Sequence, residues 1–240
     1  MKRHKHTFEY AILITWTVLF ALLLFGCKTE VVPEPVTTTT LASGKGWHKQ
    51  YDEYISAALK KNPELMADKK IESICPTYSS LSESQKEEVY IDLFWAIAYF
   101  ESTYNPKAMY LEKTFTELDA ATKMPVVSEG LLQMSYQDAL WYKDCPFKFE
   151  PDRESHTKDV NSRNGKQSWD STAEYKTTTD PEKNLQCGVA VFAKLLTNPK
   201  FNGWKSEDVL ARYWAVMRKP KLNEVLARFK TRAPFCYLGR

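Results

Sequence analysis

Apolar residues recur along most of this chain at the three-and-four spacing of amphipathic helices. Tyr51, Ile55, Ala58 and Leu59 share one face of a stretch over 47–61. Tyr90, Leu93, Phe94 and Ile97 mark a second stripe, opened by a capping box at Ser84 to Glu87 and stopped by Asn105-Pro106. Ser135 with Asp138 starts a short helix through Trp141. Asp180-Pro181 supplies an N-cap and a first-turn proline ahead of Leu185, Val189, Phe192 and Leu196. Ser206 opens a helix carrying Leu210, Tyr213, Trp214 and Met217, and Leu222, Val225, Leu226 and Phe229 mark the last one. No convincing strand alternation is present, and 143–179 reads as a long, polar, irregular insertion. The expectation is a mainly α, single domain over 47–240.

The segment before it has a different character. Lys2, Arg3 and Lys5 precede an apolar run over 11–25, short of the roughly 20 residues a spanning helix needs. That is the layout of a secretory signal over 1–26. Leu24-Phe25-Gly26-Cys27 resembles a bacterial lipobox, which makes Cys27 the expected lipidation site and membrane anchor. Lys28 behind it resembles the outer-membrane sorting of Gram-negative lipoproteins, giving a periplasmic-side location. Prolines and four consecutive threonines make 27–46 a tether with nothing to pack.

Charge and cysteine content narrow the function. Without the leader the formal net charge of +3 falls to about +1, which gives no electrostatic case for nucleic acid. With Cys27 set aside, Cys75, Cys145, Cys187 and Cys236 remain in an exported chain, and four cysteines allow three connectivities. No CxxC spacing occurs and the mature chain keeps only His48 and His156, so no metal or cofactor is expected. Neither a GxSxG nucleophile turn nor a phosphate-cradling glycine loop is present.

One residue breaks the pattern. Continuing the stripe of Tyr90, Leu93, Phe94 and Ile97 leads to Glu101, a carboxylate where another hydrophobe belongs. Burial disfavours the charged form and raises the pKa, which suits a general acid near neutral pH.

Four blocks follow one another around that residue. They are Phe100 to Pro106, Ser128 to Met134 (containing Gly130-Leu131-Leu132-Gln133), Asp180 to Val189, and Arg212 to Val216. In this order they resemble the soluble-type lytic transglycosylases, which have a lysozyme-like fold. The resemblance implies that Glu101 is the sole catalytic acid/base on peptidoglycan glycan strands. It further implies that Ser102 and Gln133 line sugar subsites, that Tyr213 orients the catalytic carboxyl, and that Asn184 fixes the third helix against the cleft. Two positions depart from the pattern: Glu129 stands where small or apolar residues are usual, and Trp214 follows Tyr213 where asparagine is usual. Glu129 is expected on the surface.

Looped variants of the same kind make Cys145–Cys187 a bridge closing the insertion, which leaves Cys75–Cys236 to tie the domain's ends. A hydrolytic muramidase with Glu129 or Asp119 as second carboxyl, and a non-catalytic glycan-binding lipoprotein, are the alternatives.

Overall fold

The computed structural model describes residues 46–238. The expected signal segment over 1–26, the expected lipidation site Cys27 and the expected tether up to Lys45 lie outside the described residues. Along the chain run α1 (Lys49–Lys61), α2 (Pro63–Ala67), α3 (Glu83–Ser102), β1 (Ala108–Leu111), β2 (Val127–Glu129), α4 (Asp138–Trp141), α5 (Phe149–Ser162), β3 (Ser168–Asp170), α6 (Pro181–Leu196), α7 (Ser206–Leu210) and α8 (Leu222–Arg232). Short 3-10 turns connect several of them, and no helix among the described residues is long and apolar enough to cross a membrane.

Helix α3 is the spine. It buries Val89, Tyr90, Leu93, Phe94, Ala96, Ile97 and Ala98, and each fully buried large side chain contributes about 1.5–3 kcal/mol. Its start lies earlier than the sequence suggests. Ser82 and Gln85 form the capping box, with the Gln85 N–H donating to Ser82 Oγ and the Ser82 N–H to Gln85 Oε1. Two boxes overlap in this stretch, and the upstream one satisfies the same orphan donors while lengthening the helix. Helix α6, capped by Asp180 as expected, packs against α3 through Gly188. A Cβ there would sit 2.2 Å from Leu132 Cδ1 and 3.1 Å from Phe94 Cε1, so glycine allows the close approach without moving either side chain. Helix α1 lies on α6 and α3, and α8 lies on α3.

Three expectations need correction. A three-stranded antiparallel sheet is present, ordered β2-β1-β3, with Met109 opposite both Glu129 and Trp169. Its strands have three or four residues, too few for alternation to register in sequence. The 143–179 insertion contains helix α5 and strand β3. Its helix buries Phe149, Asp152, His156, Asp159 and Val160, a helical stripe that is mostly polar and so invisible to hydrophobic periodicity. The helix beginning at Ser206 stops at Leu210. Trp214 is extended (φ −87°, ψ 120°), its indole N–H held by the Leu132 carbonyl at 3.1 Å, and Ala215–Met217 follow as a separate 3-10 turn.

Disulfides join Cys75 to Cys236 and Cys145 to Cys187. The second pins the start of the insertion to the middle of α6.

Candidate functional site

A groove of about 750 Å³ runs beside the end of α3. Glu101 lines it from the last turn of that helix, half-buried. Burial pushes its carboxyl up from 4.5 to about 8; the Glu112 carboxylate adds to the rise, and the Val216 backbone N–H works against it. The break between α7 and the Ala215–Met217 turn brings that N–H to Glu101. Just past Glu101, Thr103 and Tyr104 take left-handed backbone (φ 53° and 62°) and end the helix.

Ser102 does not line the groove. Its hydroxyl donates to the Leu131 carbonyl at 2.9 Å and back to Ala98 at 3.1 Å, so it ties the helix end to the next block instead of facing a sugar. That block is a closed turn between β2 and Met134, in which Glu129 and Met134 exchange both backbone hydrogen bonds at 2.8 and 2.9 Å. Gly130 sits at φ 78°, where a Cβ would lie 2.5 Å from both Asn184 Nδ2 and the Thr178 carbonyl. Gln133 (φ 50°) lines the groove while its amide nitrogen donates to the Gly130 and Ala108 carbonyls at 2.9 and 3.2 Å. Asn184, fully buried on α6, accepts from the Leu132 N–H at 2.9 Å. Its amide donates to the Glu129 and Thr178 carbonyls at 3.0 and 2.8 Å, so one side chain fixes the turn from behind.

Tyr213 lines the groove, and its hydroxyl donates to Asp138 Oδ2 at 2.6 Å, not to Glu101. Asp138, whose spacing from Ser135 predicts a helix start, is also a groove carboxyl. It is 2% exposed, and burial lifts it to about 6 while hydrogen bonds from Tyr213 and Ser135 pull it down. The Ser135-x-x-Asp138 spacing held the signal but read as a cap; nothing in sequence shows that Tyr213 reaches the same oxygen.

Glu129 is not a surface residue. It is wholly buried, with His156 Nδ1 at 2.7 Å from Oε1, Lys176 Nζ at 2.8 Å from Oε2 and the Thr178 hydroxyl donating at 2.6 Å. Burial alone would raise its pKa, but Lys176 and His156 outweigh this and hold it below the usual range. Lys176 also lies 3.0 Å from Asp159, itself held low by Ser171, Thr172 and Lys176 against the effect of burial. Asp119 is likewise spent, accepting the backbone N–H groups of Ala121, Thr122 and Gln137 at 2.9, 2.9 and 3.2 Å. Neither Glu129 nor Asp119 lines the groove.

The rim is aromatic. Tyr110, Phe115 and Trp141 line the groove and are 38%, 56% and 55% exposed, so flat apolar faces meet solvent beside a polar floor.

No family model and no curated protein matches the chain. Two solved structures do, both of the Bdellovibrio protein DslA (Bd0314). Its wild-type form 2 is 24% identical with a TM-score of 0.52, and a glutamate-to-glutamine mutant of it is 23% identical with a TM-score of 0.54. Each similarity spans 83% of this chain and 96% of the other. At these identities the likeness is one of fold.

Proposed function

We propose that this chain is a peptidoglycan lytic transglycosylase with a lysozyme-like catalytic domain, cleaving the β-1,4 bond from N-acetylmuramic acid to N-acetylglucosamine. The observation that carries the reading is Glu101, a carboxyl raised to about 8 by burial in a groove rimmed with exposed aromatic faces. Such a group keeps its proton at neutral pH and can give it to a glycosidic oxygen.

In this mechanism Glu101 protonates the linking oxygen and the bond to C1 of the muramic ring breaks. The ring's own N-acetyl group stabilises the electron-poor centre. Ionised Glu101 then takes the proton of the C6 hydroxyl as its oxygen attacks C1. The product is a 1,6-anhydro ring, and Glu101 ends protonated as it began. The nucleophile is already tethered to the ring, so no second carboxyl is needed to activate water. With Cys27 as lipid anchor and 27–46 as tether, the enzyme would work on the wall from the periplasmic face of the outer membrane.

A hydrolytic muramidase is the second reading, and it rests on Asp138, a buried carboxyl in the same groove. Mass spectrometry of digested sacculi decides between them. Anhydro ends, one water lighter than reducing ends, support the transglycosylase, whereas reducing ends alone support hydrolysis. Glu101→Gln should fold and release neither product; turnover comparable to wild type overturns the reading.

A further inference from the structure

We propose that Asp138 contacts the bound glycan, its Oδ1 accepting a hydrogen bond from a sugar hydroxyl or amide N–H while Tyr213 and Ser135 hold Oδ2. This deepens the reading above and rests on it for the groove's occupant. All three hydrogen bonds to the carboxylate fall on Oδ2: Tyr213 hydroxyl at 2.6 Å, Ser135 N–H at 2.8 Å and Ser135 hydroxyl at 3.3 Å. Among the described residues none donates to Oδ1, although Asp138 is 2% exposed and lines the groove. One oxygen is clamped, and the other is free to meet a ligand.

The surroundings permit a titration at this residue. Asp119, Tyr142 and Tyr213 act on it directly, and Glu101, Glu112, Arg212 and Arg218 line the same groove. Burial raises Asp138 to about 6. It therefore carries charge at neutral pH and loses it on mild acidification, and an ionised acceptor makes the stronger hydrogen bond.

The test uses chitotetraose, an oligomer of N-acetylglucosamine, titrated calorimetrically into Glu101→Gln protein so that no turnover intervenes. Affinity is expected to rise about tenfold from pH 5 to pH 7.5 as Asp138 ionises. Adding Asp138→Asn should give weak binding at both pH values with no such rise. Because that change also disturbs the clamp, Tyr213→Phe in the Glu101→Gln background is the second variant. It leaves the carboxyl in place, removes a hydrogen bond that lowers its pKa, and should move the midpoint of the rise upward. Binding that is equally tight with Asp138→Asn, or a rise whose midpoint ignores Tyr213→Phe, overturns the inference and leaves the proposed function standing. Absence of chitotetraose binding at every pH overturns the inference as well. If sacculi are also untouched by the wild type, the proposed function falls with it.

Discussion

Replacing Glu101 by glutamine should make the folded protein more stable, and by an amount that depends on pH. In the unfolded chain this carboxyl ionises near 4.5, whereas in the groove it does so at about 8. Between those values the unfolded state has lost the proton and the folded state keeps it. The unfolded chain therefore binds fewer protons, and stability falls as pH rises through this window. Integrated, the penalty is below about 1 kcal/mol at pH 5 and about 3 kcal/mol at pH 7, reaching about 4 kcal/mol at pH 8. Partial exposure of Glu101 makes these upper bounds. Glutamine has nearly the same shape and no charge to lose, so it should recover most of the penalty. Urea unfolding with disulfides intact, run on wild type and Glu101→Gln at pH 5 and pH 7, gives the comparison directly. The variant should gain about 2 kcal/mol more at pH 7 than at pH 5. Asp92 and Asp138 are also raised, to about 7 and about 6, but they titrate in both proteins and largely cancel in the difference. An equal difference at both pH values would mean that the Glu101 carboxyl is unperturbed, and the acid would have no physical basis.

Two further substitutions probe the frame around the groove. Gly130→Ala places a Cβ 2.5 Å from Asn184 Nδ2 and the Thr178 carbonyl at a positive φ, and should cost about 2–4 kcal/mol in urea unfolding; a change under about 0.5 kcal/mol would show that the turn yields. Lys176→Met strips Glu129 and Asp159 of their shared ammonium and should cost about 3–5 kcal/mol at neutral pH. Both carboxylates are held low in the fold, so the stability they contribute is present at neutral pH and lost on acidification; the deficit of Lys176→Met should shrink below about pH 4, and a pH-independent deficit would refute the assignment.

Where the sequence was legible, the reason is regular burial of apolar residues. Tyr51 to Leu59, Tyr90 to Ile97, Leu185 to Leu196 and Leu222 to Phe229 each present one uniform face, and each is a helix whose apolar positions are mostly buried. Glu101 stood out because it interrupts such a face. Helix α5 was not legible because its inward positions are Asp152, His156 and Asp159, satisfied by partners far along the chain. The sheet was hidden by strand length, and the break after Leu210 by an extended Trp214 lying on an apparently continuous stripe. Within the site, Glu101 follows from the apolar stripe and Gln133 and Tyr213 from the resemblance of the blocks, and all three line one groove. It could not reveal that Ser102 faces the Leu131 carbonyl or that Tyr213 is paired with Asp138, because such pairings depend on side-chain direction across tertiary contacts.

The glutamate at 129 and the insertion at 143–179 explain each other. A carboxylate immediately before Gly130, fully buried, would be costly unless hydrogen-bond donors or an opposite charge reached it. The partners that do reach it, His156 and Lys176, both come from the insertion, and Asp159, the second carboxylate on Lys176, comes from there too. Thr178, close behind, closes the set with its hydroxyl on Glu129 and its carbonyl on Asn184. The insertion is therefore part of the wall that holds the 129–134 turn, and Cys145–Cys187 fastens that wall to α6 beside Asn184. Removing the insertion while keeping Glu129 would leave a buried charge directly behind Gln133 and the groove. Replacing Glu129 by a small apolar residue while keeping the insertion would instead strand Lys176 with Asp159 alone. Each feature answers the other: the 143–179 segment supplies the donors that satisfy Glu129, and Glu129 gives Lys176 its second carboxylate.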